Sequence, residues 1–353
     1  MMTRIAAAVL LFLSVSGTVS AQVRPFVFGL DERVSFKPDG SYFFNHTDGD
    51  LIFEAQVAPD LQIVGNVAEQ LTKVLGPGSP TVRAYVVFAT PMFRLRMFNE
   101  TSSPVRTPSY MPKATVQVAW FKNLAAPTAP APARHDGPIQ MFLLHAIPFG
   151  HHSNGQNGCT FVGQVRPECE PQQTAAPYTQ PLNTENGSFS TNYIRAGFGY
   201  RRMYPTGDND EIEDPAWVTK REWGVGATME LNPKGYVGGS LDDELRLAYG
   251  ATRFEIDTDV AVRDWRFLGI TCGRAQASGM IRYIHGAPSN LKIGGAVEAF
   301  CLPKRWGGSG LFVRYVDGQD YYNINFLERI RRVQFGVTFD QMKFLMFALP
   351  STG

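Results

Sequence analysis

From about residue 39 onward the chain alternates apolar and polar positions with a period of two, in runs of about ten residues broken by Gly, Pro, Asn and Asp. In "VTKREWGVGATMEL", Arg221, Trp223, Val225, Ala227, Met229 and Leu231 share one face. Lys220, Glu222, Gly224, Gly226, Thr228 and Glu230 share the other. In "RVQFGVTFD", Val333, Phe335, Val337 and Phe339 stand opposite Gln334, Gly336, Thr338 and Asp340. The pattern predicts strands at 39–46, 50–59, 81–98, 112–122, 138–153, 190–204, 215–229, 242–254, 262–272, 290–301, 309–317 and 331–340, with a short one near 278–285. Only "NVAEQLTKVLG", Asn66 to Gly76, reads as a short helix or turn. An apolar face opposite a small, polar face suits lipid outside and a polar lumen inside. A soluble β-sandwich would alternate as well.

The first segment, "MMTRIAAAVLLFLSVSGTVSAQ", favours the membrane reading. Arg4 forms a basic start, Ile5 to Val15 an apolar core, and "VSA" precedes Gln22 as a cleavage site. The expected organisation is a signal peptide at 1–21, a periplasmic segment at 22–38 and one outer-membrane barrel domain at 39–353. The fold class is then all-β: an antiparallel transmembrane β-barrel of about twelve strands. A net charge of +1, with Lys and Arg scattered, argues against a nucleic-acid partner. Four cysteines in an exported chain suit an oxidising compartment. Cys159 and Cys169 bracket a short loop and are expected to pair; Cys272 and Cys301 lie on strand-like segments and form either a second disulfide or two free thiols.

The candidate chemistry sits where one strand runs out, in "PIQMFLLHAIPFGHHSNG". The odd positions, from Ile139 through His145 to His151 and Ser153, are the more apolar and are assigned to lipid. The even positions, including His152 and Asn154, are assigned to the lumen. His151 and Ser153 are two residues apart and so lie on the same side, whereas His152 points away. In "SFSTNYIRAGFGYRR", Asn192 shares the apolar face with Ser190, Ile194 and Phe198. A serine nucleophile needs a base, and the base needs an acceptor that fixes its tautomer. Ser153, His151 and Asn192 supply those three types. The alternative is surface decoration, weighed against the cost of polar groups beside hydrocarbon.

These residues carry a resemblance to the outer-membrane phospholipase A family. "HHSNG", His151 to Gly155, is similar to its H-x-S-N-G; "NETSSPVRTPSYMP", Asn99 to Pro112, is similar to its S-S-P-x-R-x-x-x-Y-x-P; "SFSTN", Ser188 to Asn192, is similar to its S-x-S-x-N. The resemblance implies hydrolysis of phospholipid acyl esters by a triad of Ser153, His151 and Asn192. It also implies a homodimer with calcium held by Ser188, the main-chain carbonyl of Gln156 and Ser102 of the partner subunit. The chain departs from the family in two places. The loop from Gln156 to Gly187 is long, and "ATPMFRLRMF" lacks the glutamine the family places at its dimer contact. Two other readings stand beside this one: a lipid A deacylase, and a porin-like barrel with a degenerate motif. No G-x-S-x-G or H-E-x-x-H is present, which removes two soluble hydrolase types.

Overall fold

The computed structural model describes residues 41–43, 51–58, 60–75, 81–98, 105–124, 137–162, 181–205, 219–238, 241, 243–267, 269–306, 309–322 and 324–339. The expected signal peptide, Ser102 and Cys169 lie outside these residues. Among the described residues fifteen strands form one antiparallel sheet: β1 Ser41–Phe43, β2 Leu51–Val57, β3 Leu61–Gly65, β4 Thr81–Thr90, β5 Phe93–Phe98, β6 Val105–Tyr110, β7 Lys113–Asn123 and β8 Ile139–Ser153. They continue as β9 Ser190–Pro205, β10 Thr219–Leu231, β11 Thr252–Phe267, β12 Ile270–His285, β13 Ile293–Pro303, β14 Ser309–Gln319 and β15 Arg329–Phe339. Three pairs, β2 with β3, β4 with β5 and β6 with β7, are single strands broken by a kink, so the wall has twelve staves. Each stave pairs with the next in sequence, and β1 lies between β15 and β2. Among the described residues β1 makes three residue pairs with β15 and one, Tyr42 with Gln56, with β2.

Burial is inverted relative to a soluble sheet. Phe142, Phe198, Ile256, Ile281, Val297 and Phe335 are exposed, whereas Glu54, Arg201, Glu230, Arg253 and Glu255 are buried. An apolar belt outside and charges within is the arrangement of a membrane barrel. The inward charges are paired: Arg96 with Glu54 and Asp320, Arg195 and Arg253 with Glu230, Arg282 with Glu255, and Arg201 with Asp259. One sector of the interior is apolar instead. There α1, Val67–Leu75, brings Val67 and Val74 against Phe88, Phe121, Met141 and Leu143. Among the described residues no helix is long and apolar enough to cross a membrane.

Some boundaries differ from the sequence pattern. The segment expected as a strand at 242–254 contains a helix, α2 Asp243–Tyr249, and β11 begins only at Thr252. "DELRLAY" buries Leu245, Ala248 and Tyr249, at helical i, i+3, i+4 spacing, against Phe189 and Phe326. The expected strands at 262–272 and 278–285 are parts of β11 and β12. Cys272 and Cys301 are joined, 5.4 Å apart at Cα, beside a register shift between Cys272 and Arg274. Cys159 is also disulfide-bonded; its expected partner, Cys169, lies outside the described residues.

Candidate active site

The site is positioned by a bulge in β8. Against β9 the register shifts between Ile147 and Gly150, and against β7 it shifts at the same level, between Ala114 and Val116. One extra residue is accommodated there, at Pro148, which has no amide to give to a ladder. Gly150 follows, and a Cβ on it would meet the buried Tyr193 ring at 2.2 Å. The bulge changes which face the odd positions occupy. Below it Met141, Leu143, His145 and Ile147 are buried in the interior and Phe142 and Leu144 face out. The expectation that this odd strip faces lipid is therefore wrong from Ile139 to Ile147. Both faces of this stave are apolar because its inner face packs on α1 and its neighbours, so hydrophobicity alone misassigned them. Above the bulge the assignment is the expected one: His151 and Ser153 lie on the outer side, and His152 and Asn154 are buried within.

His151 pairs with Asn192 across the β8–β9 ladder, and Ser153 pairs with Ser190. The Nδ1 of His151 lies 2.6 Å from the Oδ1 of Asn192. The amide orientation follows from its other side: Asn192 Nδ2 donates to the carbonyls of Tyr236 at 2.8 Å and Val237 at 3.2 Å. Its Oδ1 is thus the atom turned to His151, and His151 Nδ1 must donate. That leaves Nε2 with its lone pair, the form a general base requires. Asn192 is only 4% exposed although it stands on the outer wall, because the turn at Tyr236–Gly238 folds back over it. The Tyr236 hydroxyl donates to the Pro148 carbonyl at 2.7 Å and fastens the turn to the bulge. Val237, a β-branched residue, is held at φ 50°, a strained left-handed conformation. The pattern of the sequence contains no trace of this contact. "LNPKGYVGG" reads as a turn, but nothing in it says which way the turn folds.

His152 belongs to a different structure. It is fully buried, with Nδ1 2.9 Å from the Tyr249 hydroxyl and its ring edge-on to Phe189. With Tyr249, Tyr321 and Phe326 it fills the barrel mouth beneath the loops. Burial pushes the Tyr249 and Tyr321 phenols above the usual tyrosine range, so both remain neutral.

With this geometry in view, comparison with known proteins adds a likeness. No family model and no curated protein matches the chain. In structure it is similar to outer-membrane phospholipase A. The Escherichia coli protein aligns at 14% identity and a TM-score of 0.42, over 86% of this chain and 93% of that one. An active-site mutant of outer-membrane phospholipase A from the same organism aligns at 14% and 0.43, over 90% and 93%. The Salmonella typhi phospholipase, solved as a dimer with bound calcium, aligns at 15% and 0.42, over 86% and 91%.

Two of the three residues proposed for a metal, Gln156 and Ser188, follow the end of β8 and precede the start of β9; the third, Ser102, lies outside the described residues. Asn154 ties the two chain segments together: its Nδ2 donates to Gly187 O at 2.6 Å, and its Oδ1 accepts from Phe189 N at 3.0 Å. Gly155 makes the turn at φ 66°, and the Gly158 and Ser188 amides donate to Asn186 O and Gly158 O. Gln156 uses its amide and side chain on Asn154 and Thr107, leaving its carbonyl oxygen without a hydrogen bond among the described residues. The Ser188 hydroxyl is likewise unengaged there. Both are neutral oxygens, the donor type calcium takes, and two are far fewer than the six to eight it usually binds. No cluster of three or more His, Cys, Asp or Glu suited to a metal occurs among the described residues.

Proposed function

We propose that this chain is an outer-membrane acyl hydrolase that cleaves phospholipid esters, a phospholipase of the A1/A2 type. The observation that carries the reading is the 2.6 Å contact between His151 Nδ1 and Asn192 Oδ1 on the outer wall, with Ser153 two residues along the same face. In the proposed reaction His151 Nε2 takes the Ser153 hydroxyl proton as Oγ attacks the acyl carbonyl. The proton then goes to the departing glycerol oxygen, releasing lysophospholipid and leaving an acyl ester on Ser153. Water, deprotonated by the same nitrogen, hydrolyses that ester and frees the fatty acid. Asn192 keeps the imidazole in the required tautomer without adding a negative charge.

The substrate class follows from position. The proposed site lies on the outer face of the wall, among exposed Tyr110, Phe149 and Val237, while the inner face carries ion pairs and the His152 cluster. An ester embedded in a bilayer is presented to such a face; a solute in the lumen is not. Gln156 and Ser188 would hold calcium, with Ser102 of the partner subunit completing the set. When bound, calcium would supply Lewis-acid polarisation of the ester carbonyl. The test is hydrolysis of a phospholipid by the refolded protein in detergent, with calcium and with chelator, against Ser153→Ala. Turnover that survives Ser153→Ala would defeat the proposal.

A further inference from the structure

Four basic side chains share the outer wall at the end of the barrel away from Ser153. The ladders place Lys122 beside Gln140, Gln140 beside Arg202, and Arg202 beside Trp223. One row nearer Ser153, Arg83 pairs with Trp120; one row farther from it, Arg221 pairs with Tyr204. Arg83, Lys122 and Arg221 are exposed, and Arg202 is half-buried. The cations lie against rings: Arg83 is 5.7 Å from the Trp120 centroid, and Arg221 and Arg202 are 4.6 and 5.5 Å from that of Tyr204. No Asp or Glu stands at an outward position of β4, β7, β8, β9 or β10. No described carboxylate pairs with any of the four cations. Among the described residues nothing balances their charge.

The depth of this collar is set by β8. Thirteen residues separate Gln140 from Ser153. At about 3.3 Å per residue and a strand tilt of about 40°, that is about 33 Å along the membrane normal. The hydrocarbon core of a bilayer is about 30 Å thick. With Ser153 at one headgroup layer, the collar lies at the other. Aromatic rings and long basic side chains both settle at that level. Lys122 and Arg202 stand two strands apart, about 10 Å, close enough for both to reach a phosphate lying over Gln140. We propose that this collar binds a phospholipid with a net negative headgroup, such as phosphatidylglycerol, from the leaflet remote from the site. The Gln140 amide, already donating to the Tyr200 hydroxyl at 3.0 Å, forms the floor between the two cations. The proposal does not depend on the triad.

The test uses the full chain as Ser153→Ala, so that no lipid is consumed. The protein is placed in vesicles of phosphatidylethanolamine with a minority of phosphatidylglycerol, extracted gently, and its retained lipids are counted by native mass spectrometry. Phosphatidylglycerol should be enriched several-fold over its share of the vesicle. Lys122→Gln with Arg202→Gln and Arg221→Gln should return the ratio to that of the vesicle, while Arg331→Gln at the other end should leave it unchanged. If the triple variant does not fold, the single variants Lys122→Gln and Arg221→Gln should each lower the enrichment. Unaltered enrichment in these variants, or none in the parent, overturns the site.

Discussion

Asn192 is an asparagine for a reason its neighbours supply. One side of its amide must accept from His151, and the other must donate to the carbonyls of Tyr236 and Val237. Aspartate can do only the first: it would set a carboxylate oxygen against two carbonyl oxygens. Asn192→Asp is expected to reduce ester turnover by at least tenfold, consistent with about 1–3 kcal/mol for unsatisfied buried acceptors, while the barrel keeps its heat-modifiable mobility on gels. Equal or higher turnover would mean that the two carbonyls do not select the amide. The histidines divide in the same way. Ser153→Ala and His151→Ala should abolish hydrolysis in a folded barrel. His152→Ala should lower thermal stability, since it removes a fully buried ring from the packed mouth, and should retain turnover per folded molecule. Loss of turnover in that variant, with stability unchanged, would reverse the roles given to the two histidines.

At the scale of elements, the site depends on the bulge in β8 and the turn at Tyr236–Gly238. Tyr236→Phe removes the bond to the Pro148 carbonyl and frees the turn. The expected result is a several-fold fall in kcat with KM little changed; a change confined to KM would make the turn a substrate contact instead. Gly150→Ala would force the buried Tyr193 ring aside. It should cost about 1–3 kcal/mol of stability, read as a lower unfolding temperature. The bulge also explains what was legible in the sequence. Period-two alternation located most of the staves, and it placed His151, Ser153 and Asn192 on one outer face, because each strand half keeps its own alternation. It misread Ile139 to Ile147, because α1 makes that part of the interior as apolar as the lipid side and a one-residue insertion is invisible to periodicity. Pro148 was the available sign. The helix at Asp243–Tyr249 was missed for a related reason: a seven-residue segment is too short for its helical period to stand out from alternation. The contact between Tyr236 and Pro148, residues 88 apart in the chain, had no local signal at all.

The whole molecule raises the question of restraint, since an acyl hydrolase that acts on a bilayer sits in its own substrate. The folded chain already holds His151 and Asn192 in contact, so the proposed triad offers no obvious point of control. The candidate metal ligands do. Gln156 and Ser188 contribute one neutral oxygen each, and calcium usually takes six to eight. Such a site binds weakly unless something is added to it. A second copy docking through the outer wall, with the partner subunit's Ser102 joining the set, would strengthen it and couple activity to assembly. The absence of a glutamine in "ATPMFRLRMF" leaves that contact to be made by apolar side chains, such as the exposed Phe93. Turnover should therefore fall with chelator, recover with calcium, and fall again when the protein is diluted in detergent at fixed calcium. Sedimentation should show a monomer–dimer equilibrium that shifts over the same range of concentration. Ser188→Ala should raise the calcium needed for half-maximal rate and leave the barrel intact. Full turnover by a chelator-treated monomer would remove both calcium and pairing from the mechanism, and would leave Ser153, His151 and Asn192 in their proposed roles.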